Sequence, residues 1–449
     1  MKVIIIGNNV SGTFTAQNIR QQNKDVEIQI FTKEKYPYYT RVYLPQVISG
    51  KMTIEKLIVF QEEWYRNNNI ELYLEYEAID IDLEEKKVIF RGKNKETKYD
   101  KLILALGSTP NIPPIKNAKE MKVKGNGVFT LRTIDDAFSI KNYIEKKSVK
   151  NAIIIGGGLL GLELANQINE CNLNTTVVEF FPRLLPRQTD EECSSMLKRE
   201  IEKRGINVIL GAATEEILGE EQVTGIKLKD GNSLKADIVL IQAGIVPSIE
   251  LAKKVGIKTN RGIIVNQFFE TSTPDIYAVG DCIEFQNQIW GIIPACIEQS
   301  KIIAQTVLGY KNISYKGTTP KNTLKVIGLD LTSIGIIDPK LEEGAGWEIL
   351  KKSDKTDCCY DKIVLKNNKV KGAILFGDTK AISYIYSKMD KEIDREELKK
   401  ILELYTFQCN NCGALFDELK MGILFKDLPE DWKCQNCGGP KDNFKKVEA

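Results

Sequence analysis

Histidine is absent from all 449 residues of this chain, and that absence removes more chemistry than any other feature of its composition. Serine-histidine hydrolases, histidine-ligated metal sites and reactions that use a histidine acid or base are excluded, because no other side chain ordinarily titrates near neutrality. The chemistry has to run on cofactors. Strong charge of either sign is missing as well: the formal net charge is +2, so neither nucleic acid nor an anionic membrane is an expected partner. No apolar run approaches the length of a membrane span. The stretch Val3 to Ile6 is too short for a signal peptide and enters a folded motif at once, so the expected location is cytoplasmic. Ten cysteines fit a reducing compartment, as metal ligands and buried thiols rather than a disulfide framework. The apolar share, 42%, is ordinary for a globular chain, and the length allows about three domains.

What is present is concentrated first at the C-terminal end. Cys409 and Cys412 are followed by Gly413, and Cys434 and Cys437 by Gly438, which repeats one CxxCG unit within a short segment. Four thiolates at this spacing can close a tetrahedral site around one metal ion. Such a site suits iron or zinc, and each glycine lets the turn approach so that backbone amides point at sulfur. Phe407, Phe416, Phe425, Trp432 and Phe444 surround the pairs. Acids and lysines from Tyr405 onward are nearly balanced, so if the metal carries electrons, transfer within the chain, or within a dimer, with little salt dependence is expected.

Two further motifs have the strand, turn and helix outline expected of a phosphate-binding backbone. Val3 to Ile6 reads as a buried parallel strand, followed by a tight turn with Gly7 and Gly12 and then a helix to about Gln21. Such a turn sets a pyrophosphate at a helix N-terminus, where free amides and the helix dipole favour anions. A second strand, Glu27 to Phe31, leads to Glu34, placed for a ribose hydroxyl pair. The copy at Ala152 to Ile155 has Gly156, Gly158 and Gly161, with Glu179 closing the strand Thr175 to Val178. An acid there favours the free 2′-hydroxyl of NAD over the 2′-phosphate of NADP, although Arg183 and Arg187 nearby keep NADPH open.

Two connecting segments complete the pattern: a strand from Tyr99 ending at Ala105, Leu106 and Gly107, and Thr271 to Asp281 with Gly280 and Asp281 at its end. Residues 1 to about 315 resemble the two-dinucleotide-fold flavoprotein reductases, the pyridine nucleotide-disulfide oxidoreductase superfamily. The fold implied is α/β: two nested Rossmann-like domains, an α+β C-terminal domain and a small rubredoxin-like metal domain. The boundaries expected are 1–112 with 236–315 for FAD, 113–235 for NAD, 320–400 for the C-terminal domain and 405–449 for the metal domain. The resemblance assigns Gly7, Gly12, Glu34, Gly280 and Asp281 to FAD, with Arg41 as a phosphate ligand and Ala105 and Gly107 marking the crossing into the NAD domain. It assigns Gly156, Gly158, Gly161 and Glu179 to NAD(H), places Glu163 near the nicotinamide, and points the helix opened by Pro294 at the flavin.

The tail resembles rubredoxin, which implies one iron held by Cys409, Cys412, Cys434 and Cys437, with structural zinc as the alternative. Disulfide reductases and NADH peroxidases of the superfamily carry a cysteine after the first fold, whereas residues 32 to 60 here contain none. Thiol-based substrates therefore drop out, and single-electron exit to the iron is expected. The region Pro320 to Leu404 is similar to the C-terminal domain of NADH:rubredoxin reductases. It should hold a strand at Thr323 to Gly328, a hairpin around Asn367 and Asn368 and a charged helix from Asp390 to about Leu404, and it leaves a homodimer open. Cys358 and Cys359 fall in no recognisable site. The expected activity is NADH oxidation through FAD and iron to an external acceptor, either a redox protein or an oxygen- or peroxide-reducing protein. A zinc-bearing diaphorase or NADH oxidase and a nucleotide-dependent redox sensor are the alternatives.

Overall fold

The computed structural model describes residues 1–92, 96–326, 329–339, 346–354, 359–377 and 381–447. The chain divides into two compact units. One comprises Met1–Gly156, Gln167–Asn174 and Thr214–Thr318; the other comprises Gly157–Asn166, Thr175–Ala213 and Thr319–Ala449.

In the first unit a five-stranded parallel sheet runs Ile276–Ala278, Lys101–Leu104, Lys2–Ile6, Glu27–Phe31, Ile70–Tyr73. Val3, Ile4 and Ile5 are fully buried because this central strand is covered on both faces, which is why it reads as an unbroken apolar run. Strand order reverses beside Lys2–Ile6, and in open α/β sheets the crevice at such a reversal holds the ligand. The helices Val10–Gln22 and Ile293–Val307 pack against each other and are tied by Asn18 Nδ2 donating to Ser300 Oγ at 3.1 Å. A second parallel set in this unit pairs Asn151–Ile155 with Ile238–Ile241, and Ile238–Ile241 with Val128–Phe129.

In the second unit an antiparallel sheet runs Lys321–Val326, Leu329–Gly335, Lys369–Phe376, Cys359–Lys366, Trp347–Asp354. The hairpin expected around Asn367 and Asn368 is present. Both residues take positive φ, 50° and 61°, as a two-residue turn matched to strand twist requires. The charged helix is shorter than expected: it spans Arg395–Leu402, because Asp394 caps it by accepting from the Glu396 and Glu397 amides, while Asp390 turns away at φ 61°. Ile327, Gly328 and Cys358 lie outside the described residues. The tail forms a three-stranded sheet, Leu415–Asp417, Thr406–Cys409, Phe444–Val447. Its core is the aromatic set the sequence offers: Phe407 stacks on Phe425 at 4.2 Å, and Phe416, Trp432 and Phe444 close around Phe425. No helix among the described residues is long and apolar enough to cross a membrane.

Candidate functional site

The chain leaves the strand Lys2–Ile6 at Gly7 with φ +117°, and a Cβ there would lie 2.1 Å from the Ala105 carbonyl oxygen. Only glycine lets the turn cross the strand Lys101–Leu104 so closely. Gly12 is constrained too, since its Cβ would meet the Gly7 carbonyl oxygen at 1.9 Å. Asn9, which stands where the motif usually has a glycine, serves as the helix N-cap through the Val10 amide. The turn is thus held from within, and Gly280, whose Cβ would strike Ser11 Oγ at 2.3 Å, closes over it.

Around this turn the structure gathers residues distant in sequence. Glu34 is gripped by two side chains: Arg41 Nη2 pairs with Oε1 at 2.5 Å, and the Tyr39 hydroxyl donates to Oε2. Burial pushes the Tyr39 phenol upward, so it stays protonated as that donor. Arg41 also donates to the Arg132 carbonyl at 3.0 Å. Arg132 in turn donates to Asp281 Oδ2 at 2.9 Å and to Ser108 Oγ at 2.7 Å. Burial, reinforced by the charge of Arg41, draws the Arg132 guanidinium down from its usual value, with Asp281 opposing. Gln299 accepts the Gly280 amide at 2.9 Å and thereby fixes the helix Ile293–Val307 against the Gly280-Asp281 corner. Two buried donors, Asn8 Nδ2 and Arg41 Nε, have no hydrogen-bond partner. Bare glycine turns, two adjacent arginines and orphaned donors fit an anionic, acceptor-rich dinucleotide such as FAD.

Arg132, Tyr39 and Gln299 were not among the expected site residues. The signal for Arg132 was faint. It precedes Thr133, whose capping box with Asp136 opens the helix Ile134–Lys146, so sequence pattern marks the helix start but not the pairing with Asp281.

The second turn repeats the crossing. Gly156 also takes φ +117°, and its Cβ would meet the Gln242 carbonyl oxygen at 2.4 Å, whereas Gly158 faces open space. Gly161 lies in the helix Leu159–Asn169. Glu179 is buried, and its carboxylate accepts the Gly157 amide at 2.5 Å and the Phe181 amide at 2.8 Å, so backbone rather than side chains fixes it. Phe180 and Phe181 follow as an exposed edge-to-face pair. Arg183 is turned to the Pro186 carbonyl and to Asp338 at 3.7 Å. Glu163, on the helix after the turn, is raised by burial to about 7. A fixed carboxylate beside an open glycine suits the diol of a ribose.

The four tail cysteines converge. Their sulfurs lie within 4.8 Å of one another, with Cys409 to Cys437 at 3.7 Å and Cys412 to Cys434 at 3.6 Å. A tetrahedral ion with metal-sulfur bonds near 2.3 Å has edges of about 3.8 Å, so the thiols fit such a metal. Each half is built alike: Cys409 N bonds the Ala414 carbonyl and Gly413 N the Cys409 carbonyl, and Cys434 N bonds the Gly439 carbonyl and Gly438 N the Cys434 carbonyl. Gly413 and Gly438 take φ +74° and +70°, the turn geometry that only glycine adopts freely. The Asn436 side chain, then the Ala414 amide, draw the Cys412 thiol down, while the Cys437 thiol beside it is driven up, so the first proton leaves this pair more easily than the second. Cys409 and Cys434 are buried, and Cys412 and Cys437 are exposed.

The family profile described as pyridine nucleotide-disulphide oxidoreductase matches residues 1–302, and that of the rubredoxin NAD+ reductase C-terminal domain matches residues 320–393. The chain belongs to the pyridine nucleotide-disulphide oxidoreductase family. Within it, the chain is a homologue of the NADH-rubredoxin oxidoreductase of Clostridium acetobutylicum, 30% identical over 393 residues that cover 88% of this chain and 94% of that one. The crystal structure of NADH:rubredoxin oxidoreductase from the same organism matches with TM-score 0.69 at 29% identity, covering 88% of this chain and 95% of that one. The nitrite reductase [NAD(P)H] of Bacillus subtilis is 37% identical over 401 residues, 89% of this chain but 48% of that protein. The chain spans about half the length of the first curated relatives it matches.

Proposed function

We propose that this chain oxidises NADH through FAD and passes the electrons to its own four-cysteine iron, and from there to an external redox protein or to an oxygen- or peroxide-reducing acceptor. The observation that carries this reading is the convergence of Cys409, Cys412, Cys434 and Cys437 on a chain that also holds two dinucleotide turns and has no cysteine from 32 to 60. Bound in these sites, FAD supplies a two-electron hydride acceptor and the iron a one-electron carrier.

The chain's own residues do the rest. Gly7, Gly12 and Gly280 let the backbone approach the FAD diphosphate, Arg41 and Arg132 balance its charge, Glu34 takes ribose hydroxyls and Asp281 the flavin side chain. Ala105 and Gly107 shape the crossing, and the helix Ile293–Val307 presents its N-terminus to the flavin. Gly156, Gly158 and Gly161 seat the nicotinamide dinucleotide. Glu179 binds its ribose and disfavours a 2′-phosphate, and with Arg183 committed to Pro186 and Asp338 the preference is for NADH. Glu163, neutral below about pH 7, can donate to the nicotinamide amide.

Anaerobic titration of the metal-analysed protein with NADH tests this, following flavin and iron-thiolate absorbance together. Both are expected to bleach. In Cys437→Ser, flavin should still bleach while transfer onward stops. Zinc in the tail, or flavin bleaching with the iron left oxidised, would overturn the relay.

A further inference from the structure

The four-cysteine module meets the C-terminal sheet across a built surface, all of it within one compact unit. Between the helix Arg395–Leu402 and the strand Thr406–Cys409 stand only Glu403, Leu404 and Tyr405. Glu403 turns at φ 55° and Leu404 is 3% exposed, so this connector is short and anchored at its middle residue, too short to act as a tether. Leu419 and Leu424 of the module lie in the same apolar cluster as Leu350, Leu398, Leu402 and Leu404. The short helix Glu418–Met421 rests on the strand Trp347–Asp354. Glu418, 4% exposed, accepts the amides of Tyr405 at 2.7 Å and Phe425 at 2.8 Å, which locks the connector to the module.

Two ion pairs cross the same surface. Lys399 meets Asp417 at 2.7 Å, and Lys426 meets Asp354, whose side chain is 5% exposed. A carboxylate so buried belongs to the interface and not to a solvated rim. The module's aromatic core, centred on Phe425, is separate from this contact, so the module is not borrowing the sheet merely to fold. Unseating it would return Leu419, Leu424 and their partners to water, which keeps a detached population small.

We propose that the metal module is permanently seated on the C-terminal sheet and works as a fixed relay, not as a swinging carrier. Its inner face, Leu419 and Leu424, is consumed by the seat, while Cys412 and Cys437 remain exposed for an outgoing acceptor. This deepens the relay reading above and rests on it.

A cross-link tests the seating directly. A Cβ on Gly422 would lie 3.5 Å from Lys351 Cβ, inside the range of about 3.5–4.5 Å that a disulfide spans. The double variant Gly422→Cys with Lys351→Cys, made in the full metal-loaded flavoprotein and oxidised with oxidised glutathione, should close nearly completely by mass analysis. NADH-driven reduction of the iron should then agree within about twofold before and after the link is reopened. A closed link that slows iron reduction about tenfold or more, with recovery on reopening, would establish a swinging carrier. Gly422 takes φ +68°, where a cysteine is strained, so failure of the link in a folded, metal-loaded variant counts against the seating when Leu419 and Leu424 of the unsubstituted protein also prove open to solvent. Hydroxyl-radical labelling of the unsubstituted protein gives a second readout that needs no variant. The Leu419 and Leu424 side chains, buried against Leu350, Leu398 and Leu402, should be protected as well as Ile363 is, and strong labelling of both leucines would overturn the seating. If NADH fails to reduce the iron of the unsubstituted protein, the relay reading falls, while cross-link yield and labelling still report the seating.

Discussion

Gly7 and Gly156 leave their strands with the same φ, +117°, and each would drive a Cβ toward a carbonyl oxygen, Ala105 at 2.1 Å and Gln242 at 2.4 Å. Beyond that crossing the two turns diverge. Asn9 fills the first turn and caps its helix, where Gly158 leaves the second turn open. Seven residues after the first glycine, one helix carries Phe14, packed against Tyr38 and Phe60, and the other carries Glu163. The acid of the first turn is held by the side chains of Arg41 and Tyr39, and the acid of the second by backbone amides. One backbone crossing thus carries two different surroundings: an acid held by charged and phenolic side chains beside a filled turn, and an acid held by backbone amides beside an open one.

The most severe way to break the comparison is to add a methyl at either crossing. Gly7→Ala and Gly156→Ala each impose a positive φ and a backbone clash, which should weaken the affected site by about 100-fold. Gly7→Ala is expected to lose FAD on gel filtration, whereas Gly156→Ala should keep FAD and lose NADH-driven flavin reduction. Identical phenotypes would show that the two turns are not independent.

Glu163 offers the next largest effect. Unfolded, this carboxyl ionises near 4.5; folded, burial holds its proton until about pH 7. Across that window the native state carries the extra proton, so its stability falls as pH rises and levels off above 7. Glu163→Gln removes the slope and should gain roughly 3 kcal/mol relative to the parent between pH 4 and pH 8. Urea melts at those pH values read it, and parallel slopes would count against the buried acid.

Glu179→Gln tests the backbone-held acid. With the negative charge gone, the ratio of kcat/KM for NADH over NADPH should narrow by about tenfold, while FAD content stays unchanged. An unaltered ratio would remove Glu179 from nucleotide selection. The smallest change is expected from Asn9→Gly, which makes the first turn resemble the second. Glycine replaces asparagine at an N-cap at a cost of only a few tenths of a kcal/mol, so thermal melts should barely move. A large loss would mean that Asn9 holds more than its helix.

Local pattern carried much of this protein into view. Strand, glycine turn and helix recur at two places because each is set by residues adjacent in sequence, and the asparagine pair fixes its hairpin for the same reason. The cysteine spacing forecast the convergence of four sulfurs, since each CxxCG unit folds its own half of the site. Helix ends were less legible: Asp394 captures two amides and starts its helix beyond Asp390, a choice between neighbouring acids that charge pattern does not rank.

Sequence by itself therefore determined the two crossings, the metal ligands and the exclusion of histidine chemistry, because these depend on steric and ligand rules acting over a few residues. Tertiary structure alone decided which charges meet. Arg132 reaches Asp281 and Ser108 only after packing joins distant segments. It also decided that the module rests on the C-terminal sheet, since Leu419 and Leu424 are ordinary apolar residues until the partner surface formed by Leu350, Leu398 and Leu402 exists. Burial and electrostatic pairing are properties of the assembled fold, and no spacing along the chain encodes them.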